Sequence, residues 1–199
     1  MTISKTPETS IAADVLATAF LHYPPFDFAF EGENEEAQAR KLRILFRCCV
    51  QAARLFGGIV QTEDKNGALL WLPGPKASLG LCDELRSGMG MLPFQLGFRQ
   101  TWRLSQDGIM QYILQHANVE RMGYIWLVGV DAKCQGKGYC RILMEQAMDE
   151  MKSQGMTECW LSTDTETNVK RYERLGFDVV HMKLGQSSGH TAWIMRKLT

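Results

Sequence analysis

Apolar residues recur at helical spacing in the first third of the chain. Residues three and four positions apart predict an amphipathic helix over 10–21 and a second, longer helix over 34–56. Pro24-Pro25 cannot continue the first helix, so that helix ends before them. The aromatic segment 23–32 lacks a clear period and predicts an irregular loop between the two helices.

Strand-like patterns follow the second helix. The short apolar runs 59–62 and 68–72 flank Asn66-Gly67, a pair typical of tight hairpin turns, and they predict a β-hairpin. A weaker signal at 2–5 predicts a short first strand. The hairpin strands would then be the second and third strands of the fold.

The middle of the chain has a different pattern from the rest. Residues 77–118 are methionine-rich, helical in spacing and interrupted by Gly88, Gly90 and Pro93, which predicts two or three helices inserted between strands. We expect one domain over 1–199 that contains this insertion, with an α/β (α+β) fold. The elements predicted after the insertion are a strand (124–130), a loop (131–137), a helix (138–154), a strand (157–163), a helix (166–175) and two closing strands (177–184 and 190–197).

Composition and charge exclude several classes of partner. Lys plus Arg and Asp plus Glu both number 22, so there is no basic field for nucleic acid. No apolar run is long enough to cross a bilayer, and the first ten residues lack the pattern of a secretory signal. The six cysteines contain no C-x-x-C pair and indicate reduced thiols rather than a metal site. We therefore expect a cytoplasmic protein without a metal, a membrane or a nucleic acid as partner.

The segment from strand 124–130 to helix 138–154 is suited to binding an anion. The first N–H groups of a helix have no partners within the helix, and they lie at the positive end of its dipole. Gly136 and Gly138 in the preceding turn allow a phosphate to approach the backbone closely. A pyrophosphate suits this turn, although a glycine-rich turn also arises for steric reasons alone.

Three phosphate-binding motifs can be compared with this turn. The dinucleotide fingerprint G-x-G-x-x-G fails because Arg141 stands where the third glycine belongs, and the spacing of a nucleotide P-loop is absent. The third motif, Q/R-x-x-G-x-G/A, matches from Gln135 to Gly138. Cys140 stands where that motif has Gly or Ala.

A second motif lies downstream of the glycine turn, at the distance that accompanies the third motif. Asn168, Tyr172 and Gly176-Phe177 follow the pattern N-x-x-x-Y-x-x-x-G-F, with Asn168 and Tyr172 on one helix face. With the glycine turn, this pattern resembles the GCN5-related N-acetyltransferase (GNAT) superfamily over 124–197. The resemblance is looser over the first 72 residues.

The resemblance implies a particular fold. A central mixed, mostly antiparallel sheet would contain two splayed parallel strands, 124–130 and 157–163, with flanking helices and a helical insertion between strands three and four. That insertion resembles the subgroup that includes puromycin N-acetyltransferase. Gly129 would mark the bulge that opens the two parallel strands.

The resemblance also implies acetyl-CoA as the cofactor. Its pantetheine arm would pair with the backbone of the first parallel strand, and its pyrophosphate would lie on the glycine turn. The cofactor-binding residues implied in this way are Val128, Gly129, Val130, Gln135, Gly136, Lys137, Gly138, Tyr139, Cys140, Arg141 and Asn168.

The implied reaction is transfer of an acetyl group to a primary amine by direct attack. Tyr172 is the candidate acid, since a phenol is protonated at neutral pH and can donate its proton. Glu120 is the candidate base, and His116, His22 or a chain of water molecules are alternatives.

The acceptor is expected to be a small-molecule amine. It would meet the aromatic segment 23–30, where Asp27 and Glu31 lie among the rings and suit an ammonium group. An alternative function stays open, namely an acyl-CoA-binding sensor or interaction module without catalysis. A homodimer also stays open.

Overall fold

A six-stranded sheet forms the centre of the computed structural model, which describes residues 1–105, 108–184 and 189–198. Its strands are β1 (Gly58–Gln61), β2 (Gly67–Pro73), β3 (Met122–Val130), β4 (Glu158–Thr163), β5 (Asp178–Leu184) and β6 (Thr191–Leu198). Their spatial order is β1-β2-β3-β4-β6-β5, and β3 with β4 is the one parallel pair among them. The predicted mixed, mostly antiparallel sheet is confirmed.

Helices flank the sheet and also form the insertion. In chain order they are α1 (Thr9–Ala19), α2 (Pro24–Ala29), α3 (Glu35–Phe56), α4 (Gly74–Ala77), α5 (Leu81–Ser87), α6 (Leu92–Leu96), α7 (Phe98–Leu104), α8 (Ile109–His116), α9 (Tyr139–Ser153) and α10 (Glu166–Glu173). The predicted helix 138–154 is thus α9, and the predicted helix 166–175 is α10.

The side chains of β2 explain why the sheet is covered on both sides. Ala68 and Leu70 pack into the apolar cluster that contains α1 and α3, whereas Leu69 and Trp71 pack into the cluster that contains α9. All four are at most 2% exposed. Burying such side chains stabilises the fold by roughly 1.5–3 kcal/mol for each large one. The two layers of helices therefore hold the central strands in place.

Two predictions about the N-terminal region were wrong. The segment after α1 is not an irregular loop, because Pro24 and Pro25 occupy the first positions of the short helix α2. Proline is favourable there, since its fixed φ suits the first turn and its missing N–H has no helical partner to lose. The predicted strand 2–5 is reduced to one isolated bridge between Ile3 and Thr62.

The insertion has more and shorter helices than expected. Among the described residues it connects β2 to β3 through α4 to α8, and four of these short helices, α5 to α8, lie within 77–118 in place of the two or three predicted. Gly88 and Gly97, with φ angles of 84° and 107°, adopt conformations that other residues disfavour, and they end α5 and α6. Leu92 and Leu96 anchor α6 in the core beside α3.

Candidate active site

The parallel strands β3 and β4 separate along their length. They pair from Met122 with Glu158 to Ile125 with Leu161, and no further pair joins them in the described sheet. The register of β3 against β2 shifts at the same level, because Leu70 pairs with Leu127 and Trp71 pairs with Ile125. Trp126 is therefore the extra residue of a β-bulge, which bends β3 away from β4.

The prediction that Gly129 marks this bulge was wrong. Gly129 pairs regularly with Ala68 on β2. A Cβ atom at Gly129 would lie 2.9 Å from Ala19 Cβ and 3.0 Å from Leu16 Cδ2, so glycine is required there for the close packing of α1. The bulge at Trp126 and the glycine at 129 are separate features.

A cleft of about 990 Å³ occupies the opening between the strands. Val128, Gly129 and Val130 of β3 line it, on the part of the strand that has no β4 partner. A backbone edge of this kind can accept an extended amide-containing ligand as an additional half-strand.

One end of the cleft is the glycine turn before α9. Gly136 and Gly138 have φ angles of 77° and 86°, and the space where their Cβ atoms would lie is open. Gln135, Tyr139 and Arg141 line the cleft beside them. The predicted residue Lys137 is exposed on the same turn and is outside the lining of the cleft.

The α9 terminus is held by a contact to the β1–β2 turn. The Tyr139 hydroxyl donates a short hydrogen bond to Asp64. Desolvation by itself would raise the pKa of Asp64, but hydrogen bonds from Tyr139, Thr62 and Asn66 lower this pKa to about 2. This contact ties the glycine turn before α9 to the β1–β2 hairpin.

Basic side chains also line the cleft. Arg171 and Arg174, from the segment of α10, line it together with Arg141. Arg171 Nη1 donates to Asn168 Oδ1 at 3.1 Å. Guanidinium groups and free helix N–H groups are the donors that phosphate oxygens prefer, so this end fits the pyrophosphate of acetyl-CoA.

The second sequence motif lies along the wall formed by α10. Thr165 caps the helix by accepting from the Asn168 N–H, and both Asn168 and Tyr172 line the cleft. Tyr172 is 7% exposed and packs against Phe177, with ring centroids 6.2 Å apart. The structure thus brings the two motifs to one cleft, as expected.

Tyr172 lies in a strongly apolar environment. Burial raises the pKa of Tyr172 well above 10, and the neighbouring Cys140 and Tyr23 add smaller effects in the same direction. Cys140, which replaces the usual small residue, packs into the same cluster as Tyr172 and also lines the cleft. Burial raises the pKa of the Cys140 thiol, while Arg171 opposes that effect. Both groups therefore stay protonated at neutral pH.

A third polar group lies at the carboxyl end of β4. The Tyr23 hydroxyl is 3.1 Å from Thr163 Oγ1 and accepts from the Asp164 N–H at 2.9 Å. Burial and the charge of Asp164 raise the pKa of Tyr23 to about 12. Asp164 Oδ1 is also 3.5 Å from His190 Nε2. The sequence did not indicate Asp164 or His190 as site residues, although the end of a parallel strand is a usual place for them.

The other end of the cleft is apolar. It contains residues of α1, α2, α3 and the bulge, and the insertion adds Met89 and Leu104. The aromatic residues that line this end are Phe20, Tyr23, Phe26, Phe46, Tyr124 and Trp126.

The acidic residues expected among these rings face elsewhere. Asp27 Oδ1 accepts from Gln38 Nε2 at 2.8 Å, and Glu31 pairs with Arg103 at 2.9 Å. Neither carboxylate lines the cleft. The expectation that Asp27 and Glu31 face the acceptor was wrong.

None of the predicted bases lines the cleft. Glu120 is exposed in the turn before β3, at the end of that strand where β3 and β4 are still paired. His116 stacks on Tyr112, with ring centroids 4.0 Å apart, and His22 lies 3.4 Å from Glu35 with 62% of its side chain exposed.

Two further properties concern metals and membranes. Within 1–105, 108–184 and 189–198, the structure holds no group of three or more His, Cys, Asp and Glu side chains placed to bind a metal ion. None of the helices in those ranges has the length and apolar character needed to span a membrane.

Comparisons with known proteins agree with this geometry. Residues 99–177, which contain both motifs, match the model of the acetyltransferase (GNAT) family. An uncharacterized N-acetyltransferase of Schizosaccharomyces pombe is 28% identical over 172 residues, which cover 83% of this chain and 69% of that protein. These findings support the GNAT acetyltransferase family for this chain.

Two solved structures have a similar fold over nearly the whole chain. Arylalkylamine N-acetyltransferase 2 from Aedes aegypti superposes with a TM-score of 0.58 over 98% of each chain, at 14% identity. The C-terminal condensation domain of Ebony, solved with beta-alanyl-dopamine, superposes with a TM-score of 0.63 over 100% of each chain, at 10% identity. At such identities the likeness shows the GNAT fold alone. Membership of the puromycin N-acetyltransferase-like subgroup stays a prediction.

Proposed function

We propose that this chain transfers the acetyl group of acetyl-CoA to the primary amine of a small molecule by direct attack. The observation that carries the proposal is that one cleft has the glycine turn of α9 at one end and Tyr172 on its wall. The coarser activity, acetyl transfer, agrees with the family match.

The phosphate end would hold and orient the cofactor. The N–H groups of the turn from Gln135 to Arg141, with Arg171 beside them, bind phosphate oxygens. The unpaired edge of β3 at Val128 and Val130 orients the extended arm toward the bulge. Acetyl-CoA, when bound there, supplies the activated thioester.

Tyr172, on the wall of the cleft, supplies a proton. Because burial raises its pKa well above 10, the phenol keeps its proton throughout the neutral range and can donate it to a departing sulfur. The apolar wall around Tyr172 also excludes water, which would otherwise compete with the amine.

The insertion supports a small acceptor. Met89 and Leu104 contribute to the lining beside Phe20 and Phe46, so the acceptor end is enclosed by elements from two parts of the chain. A cytoplasmic location and a homodimer stay predictions. The exposed side chains of Phe94, Phe98 and Trp102 on the insertion support the homodimer.

Two measurements test the proposed function and separate it from the alternative. Calorimetric titration with CoA should show binding, and acetyl-CoA should release thiol only when a suitable amine is added. A protein that binds CoA but releases no thiol with any amine would be an acyl-CoA-binding module without catalysis. Absence of CoA binding would contradict both functions.

A further inference from the structure

The insertion carries a set of large apolar side chains that are exposed. They belong to α5, to the 3₁₀ turn Met89–Met91 that follows it, and to α6 and α7. Each of them is between 51% and 72% exposed. We call this set the insertion face, and its members are Leu81, Leu85, Met91, Phe94, Phe98 and Trp102.

Neighbours within each helix share one side of that helix. Leu81 and Leu85 are four positions apart on α5, and Phe98 and Trp102 are four positions apart on α7. Residues at this spacing lie one above the other on a helix surface. Each of these two helices therefore presents a pair of adjacent apolar side chains to solvent.

Contacts between the elements join these pairs into one surface. The rings of Phe94 and Phe98 pack edge to face with centroids 5.3 Å apart, which connects α6 to α7. A Cβ atom at Gly90 would lie 2.9 Å from Leu85 Cδ2, so α5 packs on the 3₁₀ turn that contains Met91. The insertion face is thus continuous from α5 to α7.

The size of the insertion face matches one side of a stable dimer. A fully open large side chain offers about 200 Å², so the six exposed fractions together amount to roughly 700 Å² on one copy. A standard interface buries about 800 Å² from each partner. Monomers rarely expose an apolar patch larger than roughly 300–600 Å². The face is therefore large for a surface that stays in water.

The charges around the insertion face are balanced. Three of the four basic side chains between positions 76 and 104 have an acidic partner, and the fourth, Arg86, lies over the ring of Phe56 at 5.3 Å. Lipid headgroups and nucleic acids select an excess of unpaired basic side chains. An apolar protein surface with balanced charge fits better, and a second copy of this face has both properties. The ion pairs are Lys76–Asp83 at 2.6 Å, Arg99–Glu31 at 3.8 Å and Arg103–Glu31 at 2.9 Å.

The sheet edge at β5 is less suited to pairing with a second copy. Its register shifts between Val179 and His181, and this irregularity interrupts the edge. Asp178 and Lys183 add charges of both signs. Irregularities and charges of this kind keep edge strands from pairing with other chains. The strand also provides an exposed apolar control position outside the insertion face, Met182, which is 60% exposed.

We infer that the insertion face binds the same face of a second copy of this chain and forms a symmetric homodimer about a two-fold axis. In such an arrangement each patch meets itself, so every side chain of the face is buried twice. This inference assigns a surface to the predicted homodimer and does not depend on acetyl transfer.

The dimer surface and the cleft use different side chains of the same segment. Met89 and Leu104 line the cleft, whereas the six side chains of the insertion face lie outside its lining. A substitution in the insertion face therefore tests the dimer without changing a wall of the site.

The first experiment measures the mass of the wild-type full chain by sedimentation equilibrium over a range of concentrations. We expect a species of twice the 22.5 kDa of one chain, in equilibrium with the monomer on dilution. A monomer at every concentration up to about 100 μM would overturn the inference, because a well-packed interface of this size is stable below that concentration.

Variants then locate the interface. Phe98→Asp should raise the dissociation constant of the dimer by at least about 100-fold, since it places a charge among apolar side chains in both copies. Met182→Asp on β5 is the matched control and should leave that constant within about twofold of wild type. A dimer that survives Phe98→Asp, or one that only Met182→Asp dissociates, would overturn the inference.

A measurement on the wild type decides the question if Phe98→Asp fails to fold. Hydroxyl radicals oxidise exposed Met and aromatic side chains, and the sites are read by mass spectrometry at low and high protein concentration. Oxidation of Met91, Phe98 and Trp102 should fall by about threefold or more as the dimer forms, because the centre of an interface excludes water. Oxidation of Met182 should not change. Equal oxidation of the insertion face at both concentrations would overturn the inference.

A lipid surface is the competing occupant. The wild type and Phe98→Asp are mixed with vesicles of phosphatidylcholine and phosphatidylserine and sedimented. We expect neither protein to pellet with the vesicles. A monomeric wild type that binds vesicles, with binding lost in Phe98→Asp, would identify the face as a membrane-binding surface and overturn the inference.

The outcomes also separate this inference from the proposed function. CoA affinity and thiol release are measured on the same samples. A dimer that releases no thiol with any amine leaves the interface standing and contradicts the proposed function. A monomer that acetylates an amine leaves the proposed function standing and contradicts the interface.

Discussion

The Asp164 N–H donates a hydrogen bond to the hydroxyl of Tyr23, a residue 141 positions earlier in the chain, at a distance of 2.9 Å. This contact joins the segment between α1 and α2 to the carboxyl end of β4. Both residues line the cleft, so the contact connects two of its walls and places a phenol and a carboxylate together.

The first prediction concerns alkaline stability. The pKa of Tyr23 is raised from 10.0 to about 12 by burial and by Asp164. As pH rises above 10 the unfolded chain loses the phenolic proton before the folded chain does, so the folded state loses stability between about pH 10 and 12. Guanidinium denaturation of the wild type should show a free energy of unfolding that falls across this range.

Tyr23→Phe isolates the contribution of this phenol. The variant should be less stable at pH 8 by about 1 kcal/mol, because the hydrogen bonds of the hydroxyl are lost. Its decline above pH 10 should be shallower than that of the wild type. The buried thiols Cys49 and Cys159, whose pKa values are raised by burial, contribute equally to both proteins. Parallel curves would contradict the prediction.

The second prediction concerns Tyr172. Tyr172→Phe should lower kcat by roughly 100-fold, the scale of general acid catalysis, with CoA affinity within about twofold of wild type. Tyr112→Phe is the control, since Tyr112 stacks between His116 and His181, outside the cleft, and should leave the rate unchanged. A Tyr172→Phe protein with the wild-type rate would remove this phenol from the acid role.

The third prediction concerns Gly129. A methyl group there would meet Ala19 and Leu16 at 2.9–3.0 Å, so Gly129→Ala should destabilise the fold by about 1–3 kcal/mol through overpacking against α1. Gly80→Ala is a matched control, because a Cβ atom at Gly80 meets nothing within 4 Å. Denaturant unfolding measures both, and equal stability of the two variants would contradict the packing role.

The fourth prediction concerns the phosphate end. Arg171→Gln should weaken CoA binding by roughly tenfold through loss of a charge-assisted contact. The difference from the wild type should shrink as salt is added, since exposed charges are screened. Arg47→Gln, on the exposed face of α3, should have no effect. A loss of affinity that is the same at every salt concentration would point to a structural cause instead.

Local sequence signals predicted the elements around the glycine turn well. The strand, glycine turn and helix around Gly138 depend on short-range periodicity and on residues adjacent in the chain, and β3 and α9 lie within a few residues of the predicted bounds. Asn168 and Tyr172 are likewise neighbours on one helix, so their spacing alone placed them on one face.

The rest of the cleft depends on contacts that a single sequence does not display. The bulge at Trp126 arises from the register of β3 against β2, a property of the pair rather than of either strand. Asp164 and His190 are brought together by the pairing of β4 with β6. Asp27 on α2 and Glu31 just after it were expected to face the acceptor because of their aromatic neighbours, but they contact Gln38 and Arg103 instead.

The most direct test of the central claim follows the acetyl group itself. Acetyl-CoA labelled in its acetyl group is incubated with the protein and 2-phenylethylamine, and the label is located by mass spectrometry while free thiol is measured. We predict label on the amine nitrogen, as an amide, in an amount equal to the thiol released. Label found only in acetate, or no thiol released with this or any other amine, would contradict the claim that the chain is an N-acetyltransferase.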